Sequence, residues 1–268
     1  MPNYQRIVWI GLAVAAIAIL ALGYFLFLAP AAEKKSPPVP DTTALARPPA
    51  QDSADASEGP DPNIVPLDLD LDQSDGAVRA LIAGRGIPAA MKEWLQHEDI
   101  VRTVVIAVDL IARGESPAAQ LPFLAPAGKF SVLQRDGKSF MAPLSFRRYD
   151  ALVDAFTAVP DSTWVTWYWT LRPTLEKAFA ELGYPGITFA QRIRQAIEQL
   201  TRAPLVEKTV QLEKKVLSYA FADIALEALN PVQKHLLRFG PANAARVQKK
   251  LRTLSGALRL ERGKSTNQ

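Results

Sequence analysis

The chain has no cysteine and only two histidines, His97 and His235, in 268 residues. Without cysteine there can be no disulfide, thiolate metal site, thiol nucleophile or lipidated N-terminal cysteine. Two histidines rule out a multi-histidine metal centre, and no Gly-x-Ser-x-Gly elbow accompanies them. Each sits in a polar or basic stretch, Gln96-His97-Glu98 and Lys234-His235, which predicts surface positions for both. Two apparent motifs also fail. Gly263-Lys264-Ser265-Thr266 copies the end of a phosphate-binding loop, but Leu258 stands where that loop needs its first glycine. Asp68, Asp70 and Asp72 open like a calcium loop, yet Gln73 replaces its glycine and Arg79 its terminal glutamate. No metal and no cofactor is expected.

What the chain does have is an apolar run from Ile7 to Leu28, free of charge and of proline. About 22 helical residues span roughly 33 Å, enough to cross a hydrocarbon core of about 30 Å. A cleaved signal peptide needs an apolar core of only about 7–15 residues. Residues 7–28 are therefore expected to be an uncleaved transmembrane helix, preceded by a short tail over 1–6. Residues 29–70 are rich in Ala, Pro, Ser and Asp, have no apolar period, and predict a disordered tether. Its paired prolines, Pro37-Pro38 and Pro48-Pro49, favour extended conformations.

Charge is distributed unevenly. Residues 1–70 hold four basic against eight acidic side chains, and residues 71–230 hold eighteen of each. From Pro231 onward nine basic residues face Glu261 alone, so the basic character of the protein is a C-terminal property. Arg6 on one side of the apolar run nearly balances Lys34 and Lys35 on the other, so the positive-inside rule leaves orientation open. A short tail, an acidic tether and a cysteine-free domain together favour an inner-membrane signal anchor with its bulk in the periplasm. Absence of cysteine suits such an oxidising compartment.

Residues 71–260 read as one mostly α-helical domain with a small β-hairpin, followed by a basic tail over 261–268. Ser74 caps a first helix stopped at Gly84-Arg85-Gly86, Pro88 opens a short second one, and a third runs over Glu98–Arg113. Pro117, Pro122 and Pro126 mark an irregular crossing. Asp136-Gly137 between apolar strands predicts the hairpin. Helices follow over Ser145–Ala158, Ser162–Leu182 (bent or broken at Pro173) and Thr188–Thr201. Leu205–Tyr219 is ambiguous between extended and helical. Three further helices are expected over Phe221–Leu229, Pro231–Phe239 and Pro241–Leu260.

Two helix faces stand out. Trp164, Trp167, Tyr168, Leu171 and Leu175 share a stripe with core spacing, whereas Trp169 points away and is a candidate partner or lipid contact. In the last helix Ala244, Val247, Leu251, Leu254 and Leu258 form an apolar seam opposite Arg246, Lys249 and Lys250. Those three cations are a candidate anion-docking face, or the solvated side of a packed helix.

Residues Leu71–Leu254 resemble a bacterial family of single-pass membrane proteins known as domain-of-unknown-function family 3014. The resemblance rests on Leu71-Asp-Gln-Ser-Asp75, Val108-Asp-Leu-Ile-Ala-Arg-Gly114, Arg148-Tyr-Asp150, Leu182-Gly-Tyr-Pro185, Tyr219-Ala-Phe-Ala-Asp223, Leu226-Glu-Ala-Leu229 and Gln233-Lys-His-Leu-Leu-Arg-Phe-Gly-Pro-Ala-Asn243. It implies an anchored envelope domain and no assigned chemistry. The matching blocks supply the candidate polar groove: Asp109, Arg113, Arg148, Tyr149, Asp150, Tyr219, Asp223, Glu227, Lys234, Arg238 and Asn243. The same pairs at helical spacing are also consistent with ion pairs that join helices.

The expected function is a non-enzymatic binding or scaffolding module in the periplasm. Its partner would be an envelope protein, a glycan or an anionic lipid; nucleic acid is not expected. An envelope hydrolase or transferase using Asp and Glu carboxylates is the alternative, favoured by a deep cleft holding two acids about 5–10 Å apart. A cytoplasmic binder of nucleic acid or anionic lipid through the basic helix is a further one.

Overall fold

The computed structural model describes residues 63–83, 87–126, 128–216 and 218–258. The apolar run 7–28, most of the tether and the basic tail lie outside the described residues. No helix among the described residues is long and apolar enough to cross a membrane.

Leu67 and Leu69, which the sequence places in the tether, pack against the domain. The Leu67 amide donates to the Thr170 carbonyl (2.7 Å). The fully buried Thr174 hydroxyl donates to the Leu67 carbonyl (2.8 Å) and accepts from the Leu69 amide (3.1 Å). Lys177 adds an ion pair with Asp68. A 3₁₀ turn over Leu71–Gln73 leads into helix α1, Ser74–Ala83. Helix α2 covers Ala89–Trp94, and α3 covers Ile100–Ala112. Residues 84–86, where the sequence places the stop of the first helix, lie outside the described residues.

The start of α3 is fixed from a distance. Asp99 holds a left-handed backbone (φ 53°), uncommon for a residue with a side chain. The Asp75 carboxylate accepts both the Asp99 and Ile100 amides, at 2.8 and 2.9 Å, and so satisfies donors that a helix start leaves open. Two 3₁₀ turns, Pro117–Ala119 and Pro122–Leu124, build the irregular crossing that the prolines predict.

Strands β1 (Val132–Arg135) and β2 (Lys138–Met141) form the expected hairpin. Asp136 and Gly137 both have positive φ, 52° and 70°, as a tight two-residue turn demands. Helices α4 (Pro143–Arg147) and α5 (Asp150–Ala158) replace the single helix expected over 145–158. Helix α6 runs unbroken from Asp161 to Ala180. Pro173 removes one backbone donor, but buried residues on both sides of it, Trp167, Tyr168 and Leu171 before and Leu175, Ala178 and Phe179 after, hold the helix together. Helix α7, Phe189–Thr201, opens on a Thr188/Gln191 capping box.

The ambiguous stretch resolves as strand. Strands β3 (Gln211–Lys214) and β4 (Tyr219–Phe221) extend the hairpin into a four-stranded antiparallel sheet ordered β1-β2-β3-β4. Ser139 faces Leu212, and Leu212 faces Phe221. The helix expected from Phe221 shrinks to α8, Ile224–Glu227, capped by Asp223. Helices α9 (Pro231–Leu237) and α10 (Pro241–Ala257) close the described chain. At the turn between them Gly240 has φ 79°, and a Cβ there would lie 2.5 Å from Cγ of Phe146. Only glycine fits.

The larger core joins α1, α3, α6, α7 and α10 through Val78, Val105, Leu171, Phe179, Phe189 and Leu254. A smaller one, Met141, Val210, Leu212, Phe221 and Leu237, lies under the sheet. Trp164, Tyr168, Leu171 and Leu175 pack in or against the larger core, and Trp167 joins Ile87, Met91 and Val159. Trp169 is half-buried against the same larger core, edge-on to Tyr168 (5.3 Å), with the Arg172 guanidinium 4.9 Å over its ring.

Candidate functional site

The sequence-predicted groove does not exist as one place. Its residues fall into separate arrangements, one of which lines a cavity.

Asp109 and Arg113 belong to a dry ion cluster on α3. Asp109 is 4% exposed and faces Arg192 of α7, itself 9% exposed, with Nε 3.0 Å from Oδ1 in an ion pair. Arg113 Nε and the Tyr184 hydroxyl both donate to Oδ2, each at 3.1 Å. The Arg192 guanidinium sits 4.4 Å over the Tyr184 ring. A carboxylate taken from water needs this degree of compensation. Both carboxylate oxygens face a cation or a donor within 3.1 Å.

Asp150 and Asn243 bind one another. Asn243, buried on α10, donates to Asp150 Oδ1 (2.7 Å) and to the Phe146 carbonyl (3.3 Å). Asp223 accepts the Ala225 amide at 2.8 Å as the cap of α8. Glu227 accepts from Lys234 Nζ (2.9 Å) and from the Phe221 amide (2.8 Å). Burial pushes the Glu227 carboxyl up, but these two donors outweigh it and hold it below its ordinary value.

The basic face of α10 is also mostly committed. Arg246 pairs with Asp154 (2.7 Å) and donates to the Thr157 hydroxyl (3.0 Å). Lys250 pairs with Asp161. Lys249 alone is exposed and forms no ion pair with a described residue. The apolar seam Ala244, Val247, Leu251, Leu254 and Leu258 packs into the cores. Helix α10 is a packed helix whose basic side ties it to α5 and α6.

Arg148, Tyr149, Tyr219 and Arg238 do converge. They line a cavity of about 1030 Å³ beneath the sheet. Its walls are Met141, Leu212 and Phe221 of the sheet, Val232 and Leu236 of α9, Ile111 of α3, Leu152 of α5 and Leu200 of α7. Ser116 through Pro126, the proline-marked crossing, forms a further side. This volume is at the top of the range of small-molecule sites, about 300–1,000 Å³. Four cations line it: Arg148, Lys214, Lys215 and Arg238. No Asp or Glu does.

Polar groups inside the cavity are few. Tyr149 is 5% exposed, stacked on Phe239 (4.1 Å between centroids) and edge-on to His235 (6.1 Å). Burial raises its hydroxyl above the ordinary value. His235 is not the surface histidine that its basic neighbour suggests. It is half-buried, and its Nδ1 lies 2.8 Å from the Ser116 hydroxyl. Desolvation, with help from Arg238, lowers its pKa to about 4, so it is neutral near pH 7. His97 is exposed as expected and stacks on Phe123 (4.1 Å).

The Ser116–His235 pair has a nucleophile and a base at hydrogen-bonding distance, but no carboxylate of the cavity wall orients the imidazole. A base with a pKa near 4 is also poorly matched to neutral pH. Ser116 meanwhile caps the Pro117–Ala119 turn. The pair is better suited to holding the crossing onto α9 than to acyl transfer. Among the described residues, no group of three or more His, Cys, Asp or Glu could hold a metal.

Sequence reading missed Ser116, His235, Lys214, Lys215 and the apolar walls. They come from segments far apart in the chain, and only the three prolines of the crossing gave a local signal.

The fold and the site define a mostly helical domain with a small antiparallel sheet laid over an apolar, cation-lined cavity. The chain belongs to the DUF3014 family of proteins of unknown function, whose family model matches residues 100–255. That match takes in the cavity and every block that carries the resemblance except Leu71–Asp75. No curated protein and no solved structure matches the chain.

The blocks of the resemblance find one another in space. Asp109 of the second block meets Tyr184 of the fourth, and Tyr149 and Asp150 of the third meet Phe239 and Asn243 of the last. Within the Tyr219 and Leu226 blocks, the Phe221 amide donates to Glu227. They describe how the domain is held together.

Proposed function

We propose that this protein is a non-enzymatic binding module of the bacterial envelope, anchored by residues 7–28, with its ligand site in the cavity beneath the sheet. The cavity carries this reading: it is large, mostly apolar, and unfilled by the side chains that wall it. Close packing is the rule in protein interiors, and voids much larger than a water molecule are few. The uncharged run Ile7–Leu28 and the acidic, proline-rich stretch after it support presentation on a tether from the inner membrane into the periplasm.

A carboxylate hydrolase is disfavoured because its residues are engaged elsewhere. Asp109, Asp150, Asp223 and Glu227 each hold a structural partner, and none lines the cavity. Nucleic-acid docking through α10 is disfavoured for the same reason, since Arg246 and Lys250 are paired with Asp154 and Asp161.

Two measurements test the reading. Alkaline phosphatase fused after Gln268 is active if the domain is periplasmic; an inactive fusion with a fluorescent cytoplasmic reporter at the same site rejects the topology. A neutral diazirine-bearing alkane, photolysed with the full chain in phosphatidylcholine nanodiscs, labels cavity-wall peptides. Ile111→Trp and Leu152→Trp, which fill the space from two half-buried wall positions, suppress that labelling without loss of cooperative melting. Labelling that persists in both variants rejects the cavity as the site.

A further inference from the structure

We propose that the occupant of the cavity is a phosphate-headed amphiphile, a single long apolar chain whose head group is held at the end formed by Tyr149, Arg148 and Arg238. The proposal rests on the cavity being the ligand site and goes on to name what enters it.

Charge asymmetry is the first argument. Four cations and no carboxylate line one continuous space, whereas every acid in the polar blocks nearby is already bonded. Lys215 is partnered by Glu213 (3.0 Å), but Lys214 and Arg238 form no ion pair with a described residue. The acid whose field reaches Arg238, Glu227, is taken by Lys234 and the Phe221 amide. A cation left beside an apolar void, with its neighbouring carboxylate committed, is a place for an external anion.

Position is the second. The Arg148 guanidinium lies 5.9 Å from the Tyr149 ring centroid, and Tyr149 stacks on Phe239, the residue after Arg238, so both arginines flank the Tyr149 end of the cavity. Arg148 follows the last residue of α4 and is half-buried, and Arg238 ends α9 and is exposed. Leu152, Leu200, Leu212, Phe221 and Val232 give the same cavity apolar walls, with Lys214 and Lys215 on its sheet side. Cationic mouth and apolar interior match an anionic head and an apolar tail.

The choice of phosphate follows from the chemistry of the donors. Two guanidinium groups present planar forks of N–H donors suited to bidentate recognition of oxyanions. A phosphate monoester carries about −1.5 to −2 charges and three acceptor oxygens near neutral pH, against one charge and two oxygens for a carboxylate. The doubly charged head group is the better match for a cavity whose wall holds Arg148, Lys214, Lys215 and Arg238. His235, neutral and hydrogen-bonded to Ser116, neither competes for the head group nor repels the chain.

The test uses the full chain in phosphatidylcholine nanodiscs and a diazirine-bearing dodecyl phosphate, with cross-links mapped by peptide mass spectrometry. Cross-links fall on the peptides of the Ser116–Pro126 crossing, β3 and α9. Unlabelled dodecyl phosphate competes at least roughly tenfold better than dodecanol or dodecyltrimethylammonium, as one charge-assisted hydrogen bond implies. Dodecanoate is intermediate. Arg238→Glu weakens the phosphate by roughly tenfold or more while labelling by the neutral alkane is unchanged. Lys214→Glu, on the sheet side, has the smaller effect. Dodecanol competing as well as dodecyl phosphate, dodecanoate competing better, or an unaffected Arg238→Glu protein overturns this inference and leaves the cavity reading standing. Failure of both the phosphate and the neutral probe to label the cavity overturns both.

Discussion

The two polar centres of this domain are built on opposite terms. On α3, Asp109 and Arg192 are buried together, and three donors or cations converge on one carboxylate. Beneath the sheet, four cations border an apolar void with no carboxylate in its wall. Matched charge in a dry interior fixes two helices against each other. The proposed ligand site is the one whose wall carries cations and no acid among the described residues. In the sequence Asp109/Arg113 and Lys234/Arg238 look alike as charges at helical spacing, and only the placement of their partners tells them apart.

The difference is broken most forcefully at Asp109. Asp109→Ala leaves Arg192 buried with its counter-charge gone, and denaturant unfolding should show a loss of about 3–5 kcal/mol. Labelling of the cavity, measured per folded molecule, should stay the same. The double variant Asp109→Leu with Arg192→Met should recover much of that loss, because an apolar pair avoids the desolvation cost. If the double variant is no better than the single, the cluster is more than a structural ion pair.

The second test is pH. His235 has a pKa of about 4 when folded, below its ordinary 6.5. The unfolded chain therefore binds a proton at this site that the folded chain refuses, and stability falls as pH drops from about 6.5 to about 4. The full window corresponds to roughly 3 kcal/mol at about 1.4 kcal/mol per pH unit. His235→Gln keeps a side chain for the Ser116 hydroxyl and should flatten that part of the pH–stability curve. Glu227 acts in a separate window. Its carboxyl is held below 4.5, so its contribution is present above that pH and is lost as pH falls through the folded value. Glu227→Gln should reduce acid lability only below about pH 4.5.

The smallest effect is expected on α10. Lys249 is exposed and outside both centres, so Lys249→Glu should change stability by no more than about 0.5 kcal/mol. Arg246→Glu, which breaks an exposed pair with Asp154, should cost about 0–1 kcal/mol. Neither should alter labelling of the cavity. A large loss of phosphate labelling in Lys249→Glu would move the anion site to this helix.

Helices were the legible part of the sequence because their signals are local. Ser74, Thr188, Pro231, Pro241 and the period of the α10 seam lie within the elements they define. The β1–β2 hairpin was legible for the same reason, through Asp136-Gly137. Half of the sheet was not. Strand β3 is only Gln-Leu-Glu-Lys, and it is a strand because Leu212 pairs with Ser139, seventy-odd residues earlier. Tyr219–Phe221 carries an apolar spacing that a helix would share, and its pairing with β3 decides the matter. His235 looked superficial beside Lys234, but its surroundings come from Tyr149 and Ser116, and no local pattern encodes those. The cavity was invisible for the same reason: its wall is drawn from most of the chain between Ile111 and Val247.

The pairing of β2 with β3 also sets an order of events in time. Between Met141 and Val210 lie α4 through α7, so β3 must be brought to β2 across about seventy residues of chain. Until then β1 and β2 form an isolated hairpin, which is marginal in water, with β2 presenting an open edge. Contacts between distant residues carry a larger loop-closure cost and form late. The helical half is thus expected to acquire protection against hydrogen exchange first, and the sheet to seal the cavity as one of the last steps of folding. Pulse-labelled exchange during refolding would register this as amides of α3 and α7 protected ahead of those of β2 and β3.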